Sequence, residues 1–520
     1  MLGRKDNQIK FSSIEKWCAK PLVPEDSFYG RLAQWGERLV RDEDFAAMYA
    51  GTGRPSNSPA LLAKVLLLMY HDDVSDREAE ERARYDLRWK HALGLALDET
   101  GFDHTNLCRF RSALLLHKKE RLVFERFINL ALETGILRTE DATHIIDSTH
   151  VLGAGAVQDT YNLIKAAVRK VLRVTRTNPK LHARLRETLS DLDYDQSGKP
   201  KIDWADPEAR RALLTQLVRD ARAVQEILDT VHAELDTTQK AARDLLAAVT
   251  LQDVRLREDG TYEIAKGVAQ DRIISTTDPE MRHGRKSRHG RFDGHKVQVV
   301  TDKDAELITN VKVTPGNAAD KDALPAAVTE QVVKPKTLIG DTAYGAAQTR
   351  VEMARENVEI VAPAPPAPAP KRRFAKDDFV IDLAQMTCTC PAGQVTTTLK
   401  QRVFWFDRQT CNACSLRDRC TEHGRGRIIK LHEHEPVLQK ARQRQKTDDF
   451  KATYNRRPLA ERKIYELVVH GARKARYIGR AKTQVQMLFT AAVVNLKRLA
   501  RLFAADAKAR TGISVSLGLA

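Results

Sequence analysis

Apolar residues recur at helical spacing through the first 125 residues of the chain. Between positions 26 and 125 this pattern predicts an all-helical unit. Ser58-Pro59 is typical of a helix start, with the serine as N-cap and the proline in the first turn. Ser75 and Glu78 have the spacing of a capping box, which predicts the start of a second helix.

A third helix follows, capped by Asp103 or Thr105, with its apolar positions directed inward. On this helix Arg109 and Arg111 are predicted to face outward. Two helices joined by a turn, with outward arginines, are typical of DNA-binding units. A helical bundle with solvated charges explains the same pattern, so both interpretations stay open here.

Short apolar runs bounded by polar residues predict strands in the middle of the chain. The run THIIDSTHVL (143–152) predicts a buried strand that ends at Asp147. Apolar and polar positions alternate at 292–313, which predicts a hairpin. The run TLIG (337–340) predicts a buried strand that delivers Asp341 at its tip. Strands interspersed with helices indicate the α/β class.

A long helical pattern separates the first of these strands from the others. From Leu214 to Val249, apolar residues together with Thr238 follow steps of three and four, which define a heptad seam. An earlier helix around Ile164 and Leu172 can pack against this seam as a hairpin. A coiled-coil dimer is the alternative. The flanking strands favour the hairpin, because both ends of the segment must return to one sheet.

The charge balance of the chain indicates what kind of partner the protein binds. The 520 residues include 86 Lys and Arg against 69 Asp and Glu, which gives a net charge of +17 and a pI near 9.5. This balance favours nucleic acid as the partner, with an anionic membrane surface as the lesser alternative. Hydrophobic residues make up 42% of the chain, enough for real cores, which excludes a wholly disordered basic protein.

The apolar runs are too short for a membrane span of about 20 residues, and the first residues lack an apolar signal core. The seven cysteines are unevenly placed and do not form a disulfide pattern. We therefore expect a cytoplasmic protein without a membrane partner.

Three acidic residues stand at positions suited to catalysis. Asp147 and Asp341 end predicted strands, and Glu461 lies in the first turns of a helix that starts at Pro458. Converging carboxylates can hold the two divalent cations used in phosphoryl transfer, and magnesium prefers such oxygen ligands. Acidic residues at strand ends are also common as turn caps, which is the plain structural alternative.

The helical period distinguishes Glu461 from its neighbour Glu466. Glu461 shares a face with Ile464 and Val468, which predicts a carboxylate beside the core that needs a partner. A metal ion, or Arg457 one turn earlier, can be that partner. Glu466 falls on a face with other charged residues and is predicted to be a solvated partner in ion pairs.

A cysteine cluster lies between positions 388 and 420. It consists of Cys388, Cys390, Cys411, Cys414 and Cys420. Cys411 and Cys414 form a CxxC pair, and with Cys390 and Cys420 they can make a four-thiolate site for structural zinc. Cys388 and His423 are further candidates for the same site. The alternative is a loop with reduced, partly exposed thiols.

Two stretches concentrate the positive charge. Residues 282–296 are rich in Lys and Arg, and no acidic residue lies between Glu466 and Asp506. One-sided charge of this kind suits contacts with a phosphate backbone. The predicted DNA-binding residues are Arg109, Arg111, Arg285, Lys286, Lys296, Arg457, Arg473, Lys474 and Arg476. His150 and Tyr344 each stand three residues after an acid, and three roles are open for them: contact with DNA, orientation of the acids, or simple packing.

Several segments together resemble the DDE-type insertion-sequence transposases. They are DSTHVLGAG (147–155), STTDPEMRHGRKSRHGRFDGHK (275–296), VTPGNAADKDAL (313–324), GDTAYG (340–345), AERKIYEL (460–467) and RKARYIGRAKTQVQMLFTAAVVNLKRL (473–499). The segment GRPSNSPALLAKVLLLMY (53–70) resembles the amino-terminal domain of the same family. The resemblance extends over most of the chain.

This resemblance implies a ribonuclease H-like mixed sheet with the catalytic triad Asp147, Asp341 and Glu461, and magnesium or manganese as cofactor. It implies that the substrate is double-stranded DNA, both terminal inverted repeats and target DNA, bound by a homodimer or higher oligomer. The implied activity is metal-dependent strand cleavage followed by strand transfer, in the bacterial cytoplasm on nucleoid DNA. A non-catalytic DNA-binding regulator and a nuclease or resolvase of the same fold are the alternatives.

The chain departs from the family pattern at one position. The family often carries a tyrosine, arginine, glutamate and lysine signature around the third acid. Tyr454, Arg457 and Glu461 match it, but Val468 stands at the lysine position. The alternatives for the role of that lysine are Lys463, Arg473 or Lys474, or else a reduced activity.

The expected domain organisation follows from these patterns. A helical DNA-binding domain at 26–125 precedes a catalytic domain at 135–505. A helical insertion at 156–265 and a cysteine-rich insertion at 371–435 interrupt the catalytic domain. A tail at 506–520 follows it.

Overall fold

The computed structural model describes residues 20–52, 55–267, 269–286, 290–367 and 373–516, with side chains up to residue 505. Several predicted features fall partly outside these residues. They are the helical unit at 26–125, the basic stretch at 282–296, the Pro/Ala-rich run at 362–370, whose composition predicts a stiff extended linker, the cysteine-rich insertion at 371–435 and the tail at 506–520.

Six helices form the described part of the N-terminal region, from residue 20 onward. They are α1 (Phe28–Leu39), α2 (Pro59–Asp72), α3 (Asp76–Tyr85), α4 (Leu87–Leu93), α5 (His104–Leu116) and α6 (Leu122–Glu133), and a 3₁₀ turn at Asp42–Met48 joins the first two. The predicted caps are confirmed: the Ser58 side chain accepts from the backbone N–H of Leu61, and Ser75 and Glu78 form a capping box. The second predicted helix is divided at Asp86, which caps α4.

Asp103, one of the two predicted caps, begins α5 by accepting from the backbone N–H of Thr105. The prediction that Arg111 faces outward is wrong. Position 111 lies four residues after Leu107, on the buried face of α5, and the side chain is 6% exposed. Arg111 forms an ion pair with Asp76 and lies over the ring of Tyr477 at 4.5 Å, so it is not available to DNA.

A mixed sheet forms the centre of the molecule. Its strands are β1 (Thr143–Leu152), β4 (Arg282–Arg285), β5 (Arg291–Asp302), β6 (Ile308–Pro315), β7 (Thr337–Ile339) and β8 (Glu359–Val361). Strands β1, β7 and β8 are parallel neighbours, and β5 runs antiparallel on the other side of β1. Strands β4 and β6 both pair with the far edge of β5.

Helices cover both faces of this sheet. On one face α11 (Leu324–Thr329) and α12 (Ala347–Arg355) pack over Ile146 and Leu338. On the other face Ile145 and Ile339 contact α16 (Asp448–Tyr454) and α17 (Pro458–Val469). This layered α/β arrangement confirms the predicted ribonuclease H-like fold class.

Four helices and a short hairpin form the segment between β1 and β4. They are α7 (Thr160–Thr175), α8 (Pro179–Thr188), α9 (Pro207–Thr230) and α10 (Thr237–Gln252), followed by β2 (Val254–Leu256) and β3 (Tyr262–Ile264). Most of the heptad residues pack inside this bundle, which supports packing within the chain over a coiled-coil dimer. The seam is interrupted between α9 and α10, and Thr238 is exposed rather than packed in it.

The cysteine-bearing segment is a separate small unit of two three-stranded sheets. Its elements are β9 (Val380–Asp382), β10 (Thr387–Thr389), β11 (Val395–Thr396), β12 (Leu399–Lys400), β13 (Val403–Trp405), α13 (Arg408–Asn412), α14 (Arg417–Cys420) and β14 (Ile428–Lys430). Phe379, Phe404 and Ile429 form its core. Its own core gives this unit a shape that does not depend on the central sheet.

The last long helix joins the N-terminal helices to the sheet. After α15 (Glu435–Arg444), α16 and α17, the chain ends in α18 (Arg480–Ser516). The amides of Asn495 and Gln484 hydrogen-bond the edge backbone of β6, at Ile308, Val311 and Val313. None of the described helices combines the length and apolar character that a membrane span requires.

Candidate active site

Strand register brings the two aspartates together. Ile145 of β1 pairs with Ile339 of the parallel strand β7, and each aspartate follows two residues later. Because side chains alternate along a strand, Asp147 and Asp341 project from the same sheet face as these isoleucines. Parallel pairing ends just before them, so both carboxylates lie where β1 and β7 diverge.

The two aspartates differ in their local structure. Asp341 follows β7 directly and caps a 3₁₀ turn by accepting from the backbone N–H of Ala343 at 2.9 Å. Asp147 does not end its strand as predicted. Strand β1 continues for five residues beyond it, because β5 pairs with β1 along the whole length to Leu152.

Helix α17 supplies the third acid from above the same sheet face. Glu461 shares a helix face with Ile464 and Val468 as predicted, but this face lines the cleft with the aspartates instead of the core. The core face of α17 carries Leu459 and Leu467. The Glu461 side chain is accordingly 60% exposed.

The predicted ion pairing of Glu466 is confirmed, but the side chain is only partly solvated, with 34% exposed. Lys463, three residues earlier, is buried against the sheet with its side chain 2% exposed. Its ammonium lies 2.9 Å from Glu466 and 3.9 Å from Glu306, so Glu466 neutralises a buried charge. Lys463 is therefore excluded as a replacement for the missing lysine of the family signature.

Arg457 joins two of the three acids. Its guanidinium donates to Glu461 Oε1 at 2.9 Å and to Asp147 Oδ2 at 3.2 Å. The predicted pairing of Arg457 with Glu461 is thus confirmed, and Asp147 is a second partner. A guanidinium between two carboxylates reduces their mutual repulsion.

The environment of Asp147 opposes its charge. Burial raises the pKa of this carboxyl, and the negative charges of Asp341 and Glu461 act in the same direction. The Ser148 backbone N–H and Arg457 act against this shift without cancelling it. A carboxylate in this setting is stabilised by any additional cation in the cleft.

The donor set of the cleft suits a divalent ion. Three carboxylates from two strands and one helix line one cleft of about 440 Å³. Carboxylate oxygens are the ligands that magnesium and manganese prefer. Among the described residues these three acids do not bring their oxygens within 4.8 Å of one another, and Arg457 lies between two of them.

Five of the predicted DNA-binding residues line this cleft. They are Arg285, Lys286, Lys296, Arg457 and Arg473, and among them Arg457 is paired with the carboxylates. Arg473 reaches the cleft because residues 473–475 pair with the end of β1, where its guanidinium donates to Thr149 Oγ1 and to the backbone carbonyl of His150. Arg285 and Lys286 are exposed.

The other predicted DNA-binding residues lie elsewhere. Arg109 and Lys474 are exposed on the surface outside the cleft. Arg476 forms an ion pair with Asp73 and lies over the ring of Tyr70 at 5.3 Å, which corrects its assignment as a DNA-facing residue. The acid-free run after Glu466 is therefore not one-sided in space, because acids from distant segments neutralise part of it.

Sequence reasoning missed Asp320, which is a fourth acid in the cleft lining. Asp320 lies 3.1 Å from the ammonium of Lys296 and accepts from Gln298 at 3.0 Å. Gln298 in turn accepts a hydrogen bond from the buried hydroxyl of Tyr344. This network connects β5 to the turn after Asp341. Its only signal in the sequence was the motif VTPGNAADKDAL, in which no spacing singles out Asp320.

The two residues placed three positions after the aspartates have different roles. Tyr344 is 1% exposed and packs in the core beneath the sheet, so packing is its role. His150 lines the cleft and lies 5.2 Å from the ring of Phe292. Burial lowers its pKa, and Arg473 and Lys286 lower it further, so His150 is neutral at physiological pH.

The cysteine unit surrounds a second cavity of about 450 Å³. Cys390, Cys411, Cys414 and Cys420 line it, whereas Cys388 is fully buried in the unit's core and His423 is exposed outside. Burial raises the pKa of Cys420, and the three other thiols raise it further. The backbone N–H of Leu416 donates to Cys414 Sγ at 3.4 Å, a contact that suits a thiolate.

Comparison with known protein families gives matches at both ends of the chain. Residues 17–113 match the family described as "Transposase domain (DUF772)", and residues 387–500, which include the five clustered cysteines and Glu461, match the family described as "Transposase DDE domain". No curated protein and no solved structure matches the chain significantly. The two matches, together with the α/β fold, support an insertion-sequence transposase of the DDE type.

Proposed function

We propose that this transposase cleaves DNA strands at the ends of an insertion sequence and joins them to target DNA. The observation that carries the proposal is the convergence of Asp147, Asp341 and Glu461 on one cleft with a basic rim. Acids gathered at one point suit metal-assisted phosphoryl transfer, and cations around them suit a phosphate backbone.

In this proposal Asp147, Asp341 and Glu461 hold magnesium or manganese, which supplies Lewis-acid stabilisation of the reacting oxygens. Arg285, Lys286 and Arg473 hold the phosphates of the strand on either side. Arg457 keeps the carboxylates in place through its two hydrogen bonds.

The chemistry needs two displacements at phosphorus. A water oxygen first replaces the 3′ oxygen at the element's end, which leaves a 3′-hydroxyl. That hydroxyl oxygen then replaces an oxygen of the target phosphodiester, so one P–O bond forms as another breaks. Neither step needs a covalent bond to the protein, which agrees with a cleft lined by acids and cations.

The remaining partners belong to the same proposal. The helical unit at 26–125, with Arg109 exposed on α5, binds the terminal inverted repeats. A homodimer or higher oligomer holds two DNA ends at once, because each end needs its own cleft. Double-stranded DNA is the substrate in both reactions.

The experiment uses a plasmid that carries the coding sequence with its natural flanking DNA. Purified protein with Mg²⁺ is expected to cut at two sites that bracket the gene and to leave 3′-hydroxyl ends, mapped by primer extension. Cutting without preference for these sites indicates a nuclease of the same fold. Site-specific binding without cutting indicates a non-catalytic regulator. Either result contradicts the proposal.

For the cysteine unit we propose a structural zinc site formed by Cys390, Cys411, Cys414 and Cys420. Support comes from the cavity that these four thiols share and from the exclusion of Cys388 by burial. No three of the described thiols lie within 4.8 Å of one another, so zinc would draw the sulfur atoms closer together. Four-thiolate coordination is the usual structural zinc set.

Metal analysis tests the zinc site. We expect about one zinc per chain by mass spectrometry in the wild type, and loss of that zinc in Cys411→Ser/Cys414→Ser. Cys388→Ser is the matched control, because it removes a thiol of the same unit that lies outside the cavity. Equal zinc contents in the wild type and the double variant would contradict the assignment.

A further inference from the structure

The helical insertion has a strongly uneven charge distribution that the catalytic cleft does not explain. Residues 160–188, which form α7 and α8, contain eight Lys or Arg residues and one acid, Glu187. The rest of the insertion, residues 189–265, contains ten Lys or Arg residues and sixteen acids. The insertion as a whole is therefore near neutral, with its positive charge gathered on its first two helices.

The basic residues of α7 line a groove of about 500 Å³. Its charged lining consists of Arg169, Lys170, Arg173, Arg176 and one acid, Asp195, and Thr276 and Ile478 also line it. The arginines recur at steps of four and three, so they lie on one face of the helix. The opposite face of α7, with Leu163, Val168 and Val171, is buried in the insertion's core.

Few contacts within the chain involve these cationic side chains. Within the described part of the chain, Arg169 and Arg173 form no ion pair. Arg176 approaches Asp195 at 3.8 Å, but both side chains are more than half exposed, so this contact stabilises little. Lys170 alone is tied down, by donating to the backbone carbonyl of Thr276 at 3.0 Å.

The groove lies close to the catalytic cleft along the chain and in space. Arg473 lines the cleft, and Ile478, five residues later, lines the groove. Five residues span at most about 17 Å, which is roughly five base pairs of duplex DNA at 3.4 Å each. The loop that completes the groove is fixed to the same segment, because the backbone N–H of Gly479 donates to Asp278 at 3.2 Å.

We propose that this groove is a second DNA-binding site, which holds the phosphate backbone of the duplex next to the part bound in the catalytic cleft. The inference rests on the proposed function and adds a role for the helical insertion. A groove lined by four cations and one acid, within a few base pairs of the cleft, fits a continuous duplex better than it fits a small anion.

The test compares two double variants that each remove two positive charges from the insertion. Arg169→Gln/Arg173→Gln changes the groove. Arg219→Gln/Lys240→Gln changes α9 and α10 outside it, and none of these four residues has an ion-pair partner in the described chain. The probe is a fluorescent 40-base-pair duplex of mixed sequence, titrated in EDTA at several salt concentrations so that cleavage plays no part.

We expect the groove variant to bind more weakly and to have a shallower salt dependence, by about 1.8 in log–log slope for two lost phosphate contacts. The control variant should match the wild type. Equal affinities and slopes for all three proteins would overturn the proposal. If the groove variant fails to fold, as judged by circular dichroism, Arg173→Gln/Arg176→Gln replaces it under the same criteria. The proposed function fails separately, through absence of cutting by the wild type in Mg²⁺.

Discussion

Asp147 lies where burial and two neighbouring carboxylates oppose its charge. Its partner Arg457 offsets this only in part, since the pKa of Asp147 is raised. A raised pKa means that the folded state holds the proton more tightly than the unfolded state, so the charged form weakens the fold. The catalytic role proposed for Asp147 therefore has a cost in stability at this residue.

Asp147→Asn is therefore expected to raise the melting temperature at pH 7 in EDTA. The gain should shrink as the pH falls through the raised pKa, and it should vanish below the ordinary aspartate value near 4, where both states are protonated. Thermal melts from pH 7 to pH 4 measure it. Asp98→Asn is the exposed control. A variant that is less stable than the wild type at pH 7 would contradict this view of the cleft.

Val468 offers a gain-of-function test. Val468 lines the cleft on the same helix face as Glu461. It stands at the position where the family often has lysine. Val468→Lys should tighten DNA binding and steepen its salt dependence by about 0.9 in log–log slope, as one added phosphate contact requires.

Val469→Lys is the matched control for this substitution, since Val469 is exposed on another face of α17 and does not line the cleft. Fluorescence titrations of a duplex probe at several salt concentrations measure both variants. Equal changes in the two variants would indicate a general charge effect and would exclude a cleft position for residue 468.

Local pattern correctly placed Asp341 directly after a strand and Glu461 on one helix face with Ile464 and Val468, but it did not predict that β1 continues past Asp147. It could not orient Arg111 or Lys463, because their partners Asp76, Tyr477 and Glu306 come from other segments. A charged residue is buried only where such partners meet it, and one sequence does not reveal which segments meet. The same limit applies to Asp320.

At the scale of elements, strand β1 depends on a close backbone approach at Gly294. This glycine of β5 pairs with Leu152 and has a φ of +151°. A Cβ atom there would lie 2.2 Å from the carbonyl oxygen of Val151 and 2.5 Å from the backbone nitrogen of Gly153. The backbone at the end of β1 can lie this close to β5 only because residue 294 has no side chain.

Gly294→Ala should destabilise the fold by more than about 2 kcal/mol, through backbone strain and displacement of β1. Urea unfolding measures the change. Gly51→Ala is the control, because a Cβ atom at Gly51 meets nothing within 4 Å. Similar free energies of unfolding for the two variants would show that β1 tolerates a shift at this point.

The heptad seam shows what periodicity does and does not determine. Buried positions such as Leu217, Val224 and Leu245 followed the predicted steps of three and four. The break between α9 and α10 was not predicted, because Asp236 caps α10 within a run whose apolar spacing continues. A local capping interaction therefore divides one predicted helix into two packed helices.

At the scale of the whole molecule, the N-terminal helices and the catalytic sheet share one core. Helix α18 packs against α2 and α6 on one side and β6 on the other. Helix α18 begins more than 300 residues after α2 and α6 and more than 150 residues after β6, so their packing could not be predicted from local pattern. The net charge of +17 is not spread evenly over the molecule. Exposed Lys and Arg side chains are concentrated at the cleft rim and on α7.

The central claim is that Asp147, Asp341 and Glu461 form one metal-dependent centre. The most direct measurement is the Mg²⁺-dependent nicking rate of Asp147→Asn, Asp341→Asn and Glu461→Gln, with Glu466→Gln as the matched control on the same helix. Each of the three substitutions should slow nicking about a thousandfold, equivalent to roughly 4 kcal/mol. The Glu466→Gln variant should nick far faster than these three. Wild-type rates in any of the three variants would contradict the account.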